Sequence, residues 1–123
     1  MAVSAAQGGT ACEAGLWPYV AQVKVDLAKL VAGANSITIT AWDFLEYASY
    51  TTEPVPPPGD RITRPRWFWE SVHFTPALGE IMLQRVFHDT PADFGAPLTL
   101  ARVDARNQLV REQQRAFVGW HLA

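Results

Sequence analysis

The residues best suited to chemistry in this sequence are Glu70 and His73, which lie three positions apart in the stretch Trp-Glu-Ser-Val-His-Phe-Thr-Pro. An imidazole can take a proton from a nucleophile, and a nearby carboxylate can orient the ring and stabilise the imidazolium. Glu70 is therefore predicted to be the orienting acid, and His73 the general base, of a hydrolytic site. The alternative is a chance Glu-x-x-His in which the ring only caps or packs, because short motifs have many chance matches.

The sequence around His73 predicts a loop that leads directly into a helix. Thr75 is typical of a helix N-cap, because its hydroxyl can accept a hydrogen bond from an amide of the first turn, and Pro76 suits the first helical position. Apolar residues then recur with near-helical spacing as far as Phe87. Loops that are held by rigid elements often present functional side chains, and this position favours a functional role for His73.

Two tryptophans directly precede the pair. Trp67 and Trp69 would lie on one face of an extended segment, with Phe68 on the other. They could line an acyl or sugar pocket, so both are candidate substrate-binding residues. The alternative is that they are core or interface residues, because large aromatic side chains dominate buried contacts.

The residues before these tryptophans are predicted to form a long loop, 45–66. Its proline-rich part, 54–58, favours an extended path, and three arginines fall within residues 61–66. A solvated loop is the default interpretation of this basic stretch. The alternative is a surface that binds an acidic group or, together with the tryptophans, a sugar or polymer.

Two elements near the start of the chain must position these residues. Residues from about 16 to 31 are predicted to form an amphipathic helix. Its apolar residues lie on one stripe, and charged residues such as Lys24 lie mostly on other faces. The stripe consists of Leu16, Val20, Val23, Leu27, Leu30 and Val31. Residues 35–41 alternate β-branched side chains and are predicted to be a strand, which makes the αβ half of a βαβ unit. Asp43 follows that strand, where α/β sheets bind ligands, and is a candidate substrate-binding residue; the alternative is that it caps a turn. A last helix is predicted from about 100 to 120, with Arg106 solvated.

The composition is that of one globular domain. The chain has 123 residues, of which 49% are hydrophobic and 18% charged, enough for a single core. A net charge of −2 offers no broad surface for nucleic acid or anionic membrane. No apolar run approaches the ~18 residues of a membrane span. No phosphate-loop or dinucleotide motif suggests a cofactor, and a metal site of Glu70, His73 and Asp43 would not have a recognised zinc spacing, so no metal is predicted.

The domain is predicted to cover residues 15–123, preceded by a mobile tail, 1–14. Residues 1–11 lack a basic segment and a long apolar run, so we expect no signal peptide in this chain and take the cytoplasm as the default compartment. Cys12 is the single cysteine, which excludes an intrachain disulfide and leaves the redox compartment open.

Five blocks of the sequence together resemble the C-terminal part of bacterial SGNH (GDSL-like) hydrolases. In chain order the blocks are 16–19, 42–44, 52–56, 69–79 and 93–95. The most specific is Glu-x-x-His-Phe-x-Pro-x-x-Gly, in which Glu70 and His73 take the places of the family's catalytic Asp-x-x-His. The resemblance implies a partial three-layer α/β sandwich, flavodoxin-like, with a short parallel sheet and flanking helices. It also implies hydrolysis or transfer of ester or acyl groups, with a small acyl or carbohydrate ester as substrate.

The family's nucleophilic serine has no counterpart here. The serines of the chain are Ser4, Ser36, Ser49 and Ser71. None of them lies in a Gly-Asp-Ser or Gly-x-Ser-x-Gly turn. Since nucleophile and oxyanion donors supply most of the rate enhancement, the isolated chain is expected to be inactive. A partial sheet would leave edges and an apolar face uncovered, which predicts a homo-oligomer or an N-terminal partner chain. The alternative function is a non-catalytic, oligomeric interaction or binding module.

Overall fold

The computed structural model describes residues 15–70 and 72–122, with side chains as far as residue 117. The described residues form three helices and two short strands. In chain order these are α1 (Trp17–Ala32), β1 (Trp42–Asp43), α2 (Pro76–His88), β2 (Ala96–Pro97) and α3 (Val103–Leu122). The predicted tail, 1–14, lies outside the described residues.

The sheet corrects the predicted fold class. Strands β1 and β2 pair antiparallel, with Trp42 opposite Pro97 and Asp43 opposite Ala96. The prediction of a partial three-layer sandwich with a parallel sheet is therefore wrong. A parallel sheet needs two strands of the same direction joined by a crossover, and the described part of the chain has only this two-stranded ladder. Pro97 also lacks the backbone N–H that a further ladder hydrogen bond would need.

The predicted strand 35–41 is irregular backbone ahead of β1. The side chains of Ile37 and Ile39 are largely exposed. The backbone of residues 35–40 forms no hydrogen bond with another described residue; Ala41 alone accepts one, from Leu98. The alternation of β-branched residues suits a strand, but a strand is stable only beside a partner.

The helix start that the sequence predicts directly after His73 is confirmed in α2. Thr75 is the N-cap, its hydroxyl accepts from the amide of Leu78, and Pro76 occupies the first turn. Leu78 is fully buried and belongs to the main core cluster with Phe44, Phe68 and Phe94. The helix is therefore held by its inner face, while the loop before it remains at the surface.

Helix α1 matches its predicted range but buries a different face. Lys24 and Ala28 are its buried residues, whereas most of the predicted apolar stripe is exposed, as the 71% exposure of Leu30 illustrates. A second core cluster, Ala28 with Leu98 and Val103, joins α1 to the start of α3. The face that carries Lys24 thus points into the molecule.

Candidate functional site

A short closed loop presents Glu70 and His73. Phe68 and Phe74 form an antiparallel bridge at its base, and the amide of Trp69 donates to the carbonyl oxygen of His73 at 2.9 Å. The side chain of Phe68 is completely buried. The base of the loop is thus anchored in the core, while the side chains of Glu70 and His73 are exposed.

Glu53 fixes the segment that enters this loop. Its carboxylate accepts hydrogen bonds from three consecutive amides, those of Arg66 (2.9 Å), Trp67 (2.8 Å) and Phe68 (3.1 Å). Bonds from N–H groups to an ionised carboxylate are about twice as strong as neutral ones. The sequence gives no signal for this positioning role of Glu53, because its partners lie 13 to 15 positions away and no local pattern predicts that contact.

The carboxylate of Glu70 meets the imidazole of His73. Glu70 Oε1 contacts His73 Nδ1, and the same carboxylate accepts the amides of His73 at 2.9 Å and Val72 at 3.3 Å. The side chains of His73 and Glu70 are 74% and 49% exposed. His73 Nε2 makes no hydrogen bond within the described ranges. The predicted acid and base therefore lie together, with the outer ring nitrogen open to an incoming group.

The pKa of the Glu70 carboxyl lies below its ordinary value. Partial desolvation raises this pKa, but the hydrogen bond from the His73 ring, those from the two backbone amides and the charge of the imidazolium together outweigh it. Glu70 is consequently ionised at neutral pH, which is the state that orients an imidazole. Because both groups are exposed, water screens the pair and it adds little to stability.

A groove lies beside the loop, on the side of Trp69. It encloses about 570 Å³ and is lined by Val55, Pro56, Asp60, Arg61, Thr63, Arg64, Pro65 and Trp69. The indole of Trp69 is 67% exposed. All of these residues except Trp69 belong to the predicted long loop, 45–66. Two of the three arginines in that loop therefore share one concave surface with Trp69.

Trp67 has a different environment from Trp69. Its ring is partly buried and packs edge-on against Tyr50, with centroids 5.1 Å apart. The guanidinium of Arg66 lies 4.4 Å above it, in a cation–π contact. Of the two candidate tryptophans, the structure places Trp69 in the groove and Trp67 against the core.

Asp43 lies apart from the Glu70–His73 pair, in a buried group of charges. Its Oδ1 accepts the amide of Leu45 at 2.9 Å, as a turn-capping aspartate does. Its Oδ2 lies 2.5 Å from Lys24 Nζ and 3.5 Å from Arg106 Nε. These contacts favour the structural alternative for Asp43, and nothing in them connects it to substrate binding.

Lys24, Asp43, Glu46 and Arg106 form this group, which we call the ion cluster. Glu46 pairs with Arg106 and accepts the amide of Gly95 at 3.1 Å. Burial lowers the pKa of the Lys24 ammonium although Asp43 acts to raise it. The cluster joins α1, β1 with the residues that follow it, and α3. The sequence holds a signal for Lys24 alone among these residues. Lys24 lies four positions before Ala28, the other buried residue of α1, and residues four apart share one face of a helix.

Comparisons with known proteins were negative: no family model matches the chain, and no curated protein or solved structure matches it significantly. Within the described residues no helix is long and apolar enough to cross a membrane. The same residues hold no cluster of three or more His, Cys, Asp or Glu suited to a metal ion.

Proposed function

We propose that this chain carries the acid–base part of an SGNH-like site for hydrolysis or transfer of ester or acyl groups. The observation that carries the proposal is the exposed imidazole of His73, whose Nδ1 is engaged by Glu70 and whose Nε2 is open. In this role Nε2 takes the proton of a nucleophilic hydroxyl and later returns it to the leaving group. Glu70 keeps the proton of the neutral ring on Nδ1 and stabilises the imidazolium.

The nucleophile and the oxyanion donors of this site are proposed to come from outside the described residues. Ser36 and Ser49 are the serines that the structure describes, and neither is hydrogen-bonded to His73. The isolated chain is accordingly proposed to be inactive, and a homo-oligomer or an N-terminal partner chain to complete it. The substrate class is a small acyl or carbohydrate ester.

The pairing of Glu70 with His73 is tested by ¹⁵N NMR of the histidine side chains. We expect neutral His73 to carry its proton on Nδ1, and Glu70→Gln to remove that preference. His88, which is exposed at the end of α2, is the internal control and should not change. A mixture of tautomers at His73 that is the same in both proteins would overturn the proposed role of Glu70.

The proposed inactivity is tested with p-nitrophenyl acetate. Hydrolysis by the pure chain should not exceed that of free imidazole at equal concentration, since an exposed ring alone can react with an activated ester. Hydrolysis well above that level, lost in His73→Ala, would show that the chain contains its own nucleophile. The serine responsible would then be sought among the four serines of the sequence.

A second function, a non-catalytic interaction module, is favoured by one observation. The outer face of α1 carries large exposed apolar side chains, which are Leu16, Tyr19, Val23, Leu27 and Leu30. Exposed apolar patches of this kind are typical of interfaces. Light scattering on a sizing column should then show an oligomer that Leu27→Lys and Leu30→Lys dissociate. A monomer at every concentration would count against this function.

A further inference from the structure

We propose that the groove beside the pair binds an acidic saccharide, with Trp69 as the stacking surface and Arg61 and Arg64 as partners of its negative charge. The binding itself can be measured without turnover. The further statement that this saccharide is the alcohol or acyl part of the substrate rests on the proposed function.

The indole of Trp69 is an exposed apolar surface on a rigid support. Its backbone amide is bonded to His73 across the loop, and the adjacent Phe68 is buried in the core. A tryptophan that is 67% exposed on a fixed backbone contributes little to folding but loses little entropy when a ligand covers it. The C–H face of a pyranose ring is slightly positive and complements the negative face of an indole.

Arg61 and Arg64 supply positive charge to the same groove. Both are exposed, and the structure gives neither an ion pair with a described residue. Guanidinium groups bind carboxylate, sulfate or phosphate through two parallel hydrogen bonds. A ligand with an anionic substituent therefore gains contacts here that a neutral ligand cannot make.

Asp60 is the acidic residue of the groove and is already occupied. Its carboxylate accepts from the Thr63 hydroxyl and from the amides of Thr63 and Ile62, bonds that hold its pKa below the ordinary value. Asp60 thus shapes the turn that carries Arg61 and Arg64. Two guanidinium groups face one carboxylate, so the groove remains cationic.

The dimensions and charge of the groove favour a saccharide over a nucleic acid. Its volume of about 570 Å³ lies within the range of small-ligand sites. The net charge of the chain is −2, whereas nucleic-acid surfaces are broadly basic. A ring with one apolar face and a charged substituent, such as a uronic acid or a sulfated sugar, matches one indole and two guanidinium groups.

The groove meets the Glu70–His73 loop at Trp69, which lines the groove. Trp69 precedes Glu70 in sequence and is bonded to His73 through the backbone. Trp69 is thus shared by the groove and by the loop that carries His73. This shared residue is the reason to connect the two sites.

The test is a calorimetric and NMR titration of the full chain with tri-galacturonic acid, a sulfated disaccharide and neutral maltotriose. We expect the Trp69 indole N–H signal to shift with an acidic sugar, and neutral maltotriose to bind at least fivefold more weakly. Which of the two acidic sugars binds more tightly distinguishes carboxylate from sulfate recognition. Equal binding of neutral and acidic sugars, or no binding at millimolar concentration, would overturn the proposal.

Matched variants locate the binding. Trp69→Ala should weaken it about tenfold, and Arg61→Ala and Arg64→Ala about fivefold each, with reduced salt dependence. Arg102→Ala, at an exposed arginine just before α3, should leave it unchanged. Unaltered binding by Trp69→Ala would overturn the proposed site, as would tighter binding of a short oligonucleotide.

Saccharide binding and the tautomer of His73 test the two proposals separately. Absent binding together with an Nδ1-protonated His73 would remove the saccharide proposal alone. Specific binding together with a His73 that ignores Glu70 would remove the catalytic proposal alone.

Discussion

The molecule contains two groups of charged side chains with opposite surroundings. Glu70 and His73 lie at the surface, three residues apart, with the outer nitrogen of the ring open. Lys24 and Asp43 are almost fully buried, 2.5 Å apart, and come from different elements. Exposed pairs are screened by water and contribute little stability, whereas one member of a buried pair cannot be removed without a large cost. The comparison favours a role in folding for the second group and leaves the first group available for the proposed chemistry.

The largest expected effect comes from Asp43→Asn, which breaks the ion cluster. It leaves Lys24 without its paired carboxylate and Arg106 with Glu46 alone. Removing one partner of a buried ion pair costs about 3–5 kcal/mol. Urea denaturation should show this loss in the free energy of unfolding. The exposed Asp93 gives the control, since Asp93→Asn should change stability by less than about 0.5 kcal/mol. Equal losses in the two variants would contradict the structural role of Asp43.

An intermediate effect is expected for Glu53→Gln, because Glu53 is partly buried and also supports the Glu70–His73 loop. Glu53 is an acidic residue that is only partly buried, but it holds three backbone amides at the base of the Glu70–His73 loop. The neutral amide weakens these bonds, and we expect a loss of about 2 kcal/mol in unfolding free energy. The Nδ1 tautomer preference of His73 should weaken in the same variant. Glu80→Gln, in an exposed pair with Gln84, should change neither measurement.

A smaller effect, with a distinctive pH dependence, is expected for Lys24→Met. Asp43 keeps Arg106 as a partner and methionine fills the space, so the expected loss at neutral pH is about 1 kcal/mol. Burial lowers the pKa of Lys24 in the folded chain. Between that lowered pKa and the ordinary pKa of the unfolded chain, the unfolded state binds more protons, so rising pH stabilises the wild type. The unfolding free energy of the wild type should therefore rise relative to that of Lys24→Met as pH rises through this window. A fall in this difference with rising pH would contradict burial of the ammonium.

The smallest effect on stability is expected for Glu70→Gln, with no measurable change in the urea midpoint at neutral pH. Its pKa is lowered in the folded chain, so the small stability it provides is present above the unfolded pKa and is lost as pH falls through the folded pKa. The wild type and the variant should therefore have the same urea midpoint at neutral pH and in acid. A large loss at neutral pH would mean that the pair is structural and would remove the contrast with the ion cluster.

Local features of the chain were predictable because they depend on residues that are close in sequence. The Thr75 cap, Pro76 in the first turn of α2 and the range of α1 follow from short-range sterics and hydrogen bonding. The contact between Glu70 and His73 is equally local, since one tight turn brings residues three apart together. The parallel sheet was not predictable in this way, and residues 35–41 have strand-like sequence without a neighbouring strand among the described residues.

The sequence by itself therefore determined where the helices begin and which acid stands beside His73. Only the tertiary structure decided that Lys24 points inward, that Asp43 closes a buried ion cluster with Arg106, and that Trp69 lies in a cationic groove while Trp67 packs against the core. The physical reason is distance along the chain. Bonds within one turn are specified by adjacent residues, whereas burial and ion pairing between α1, β1 and α3 depend on how distant segments pack together.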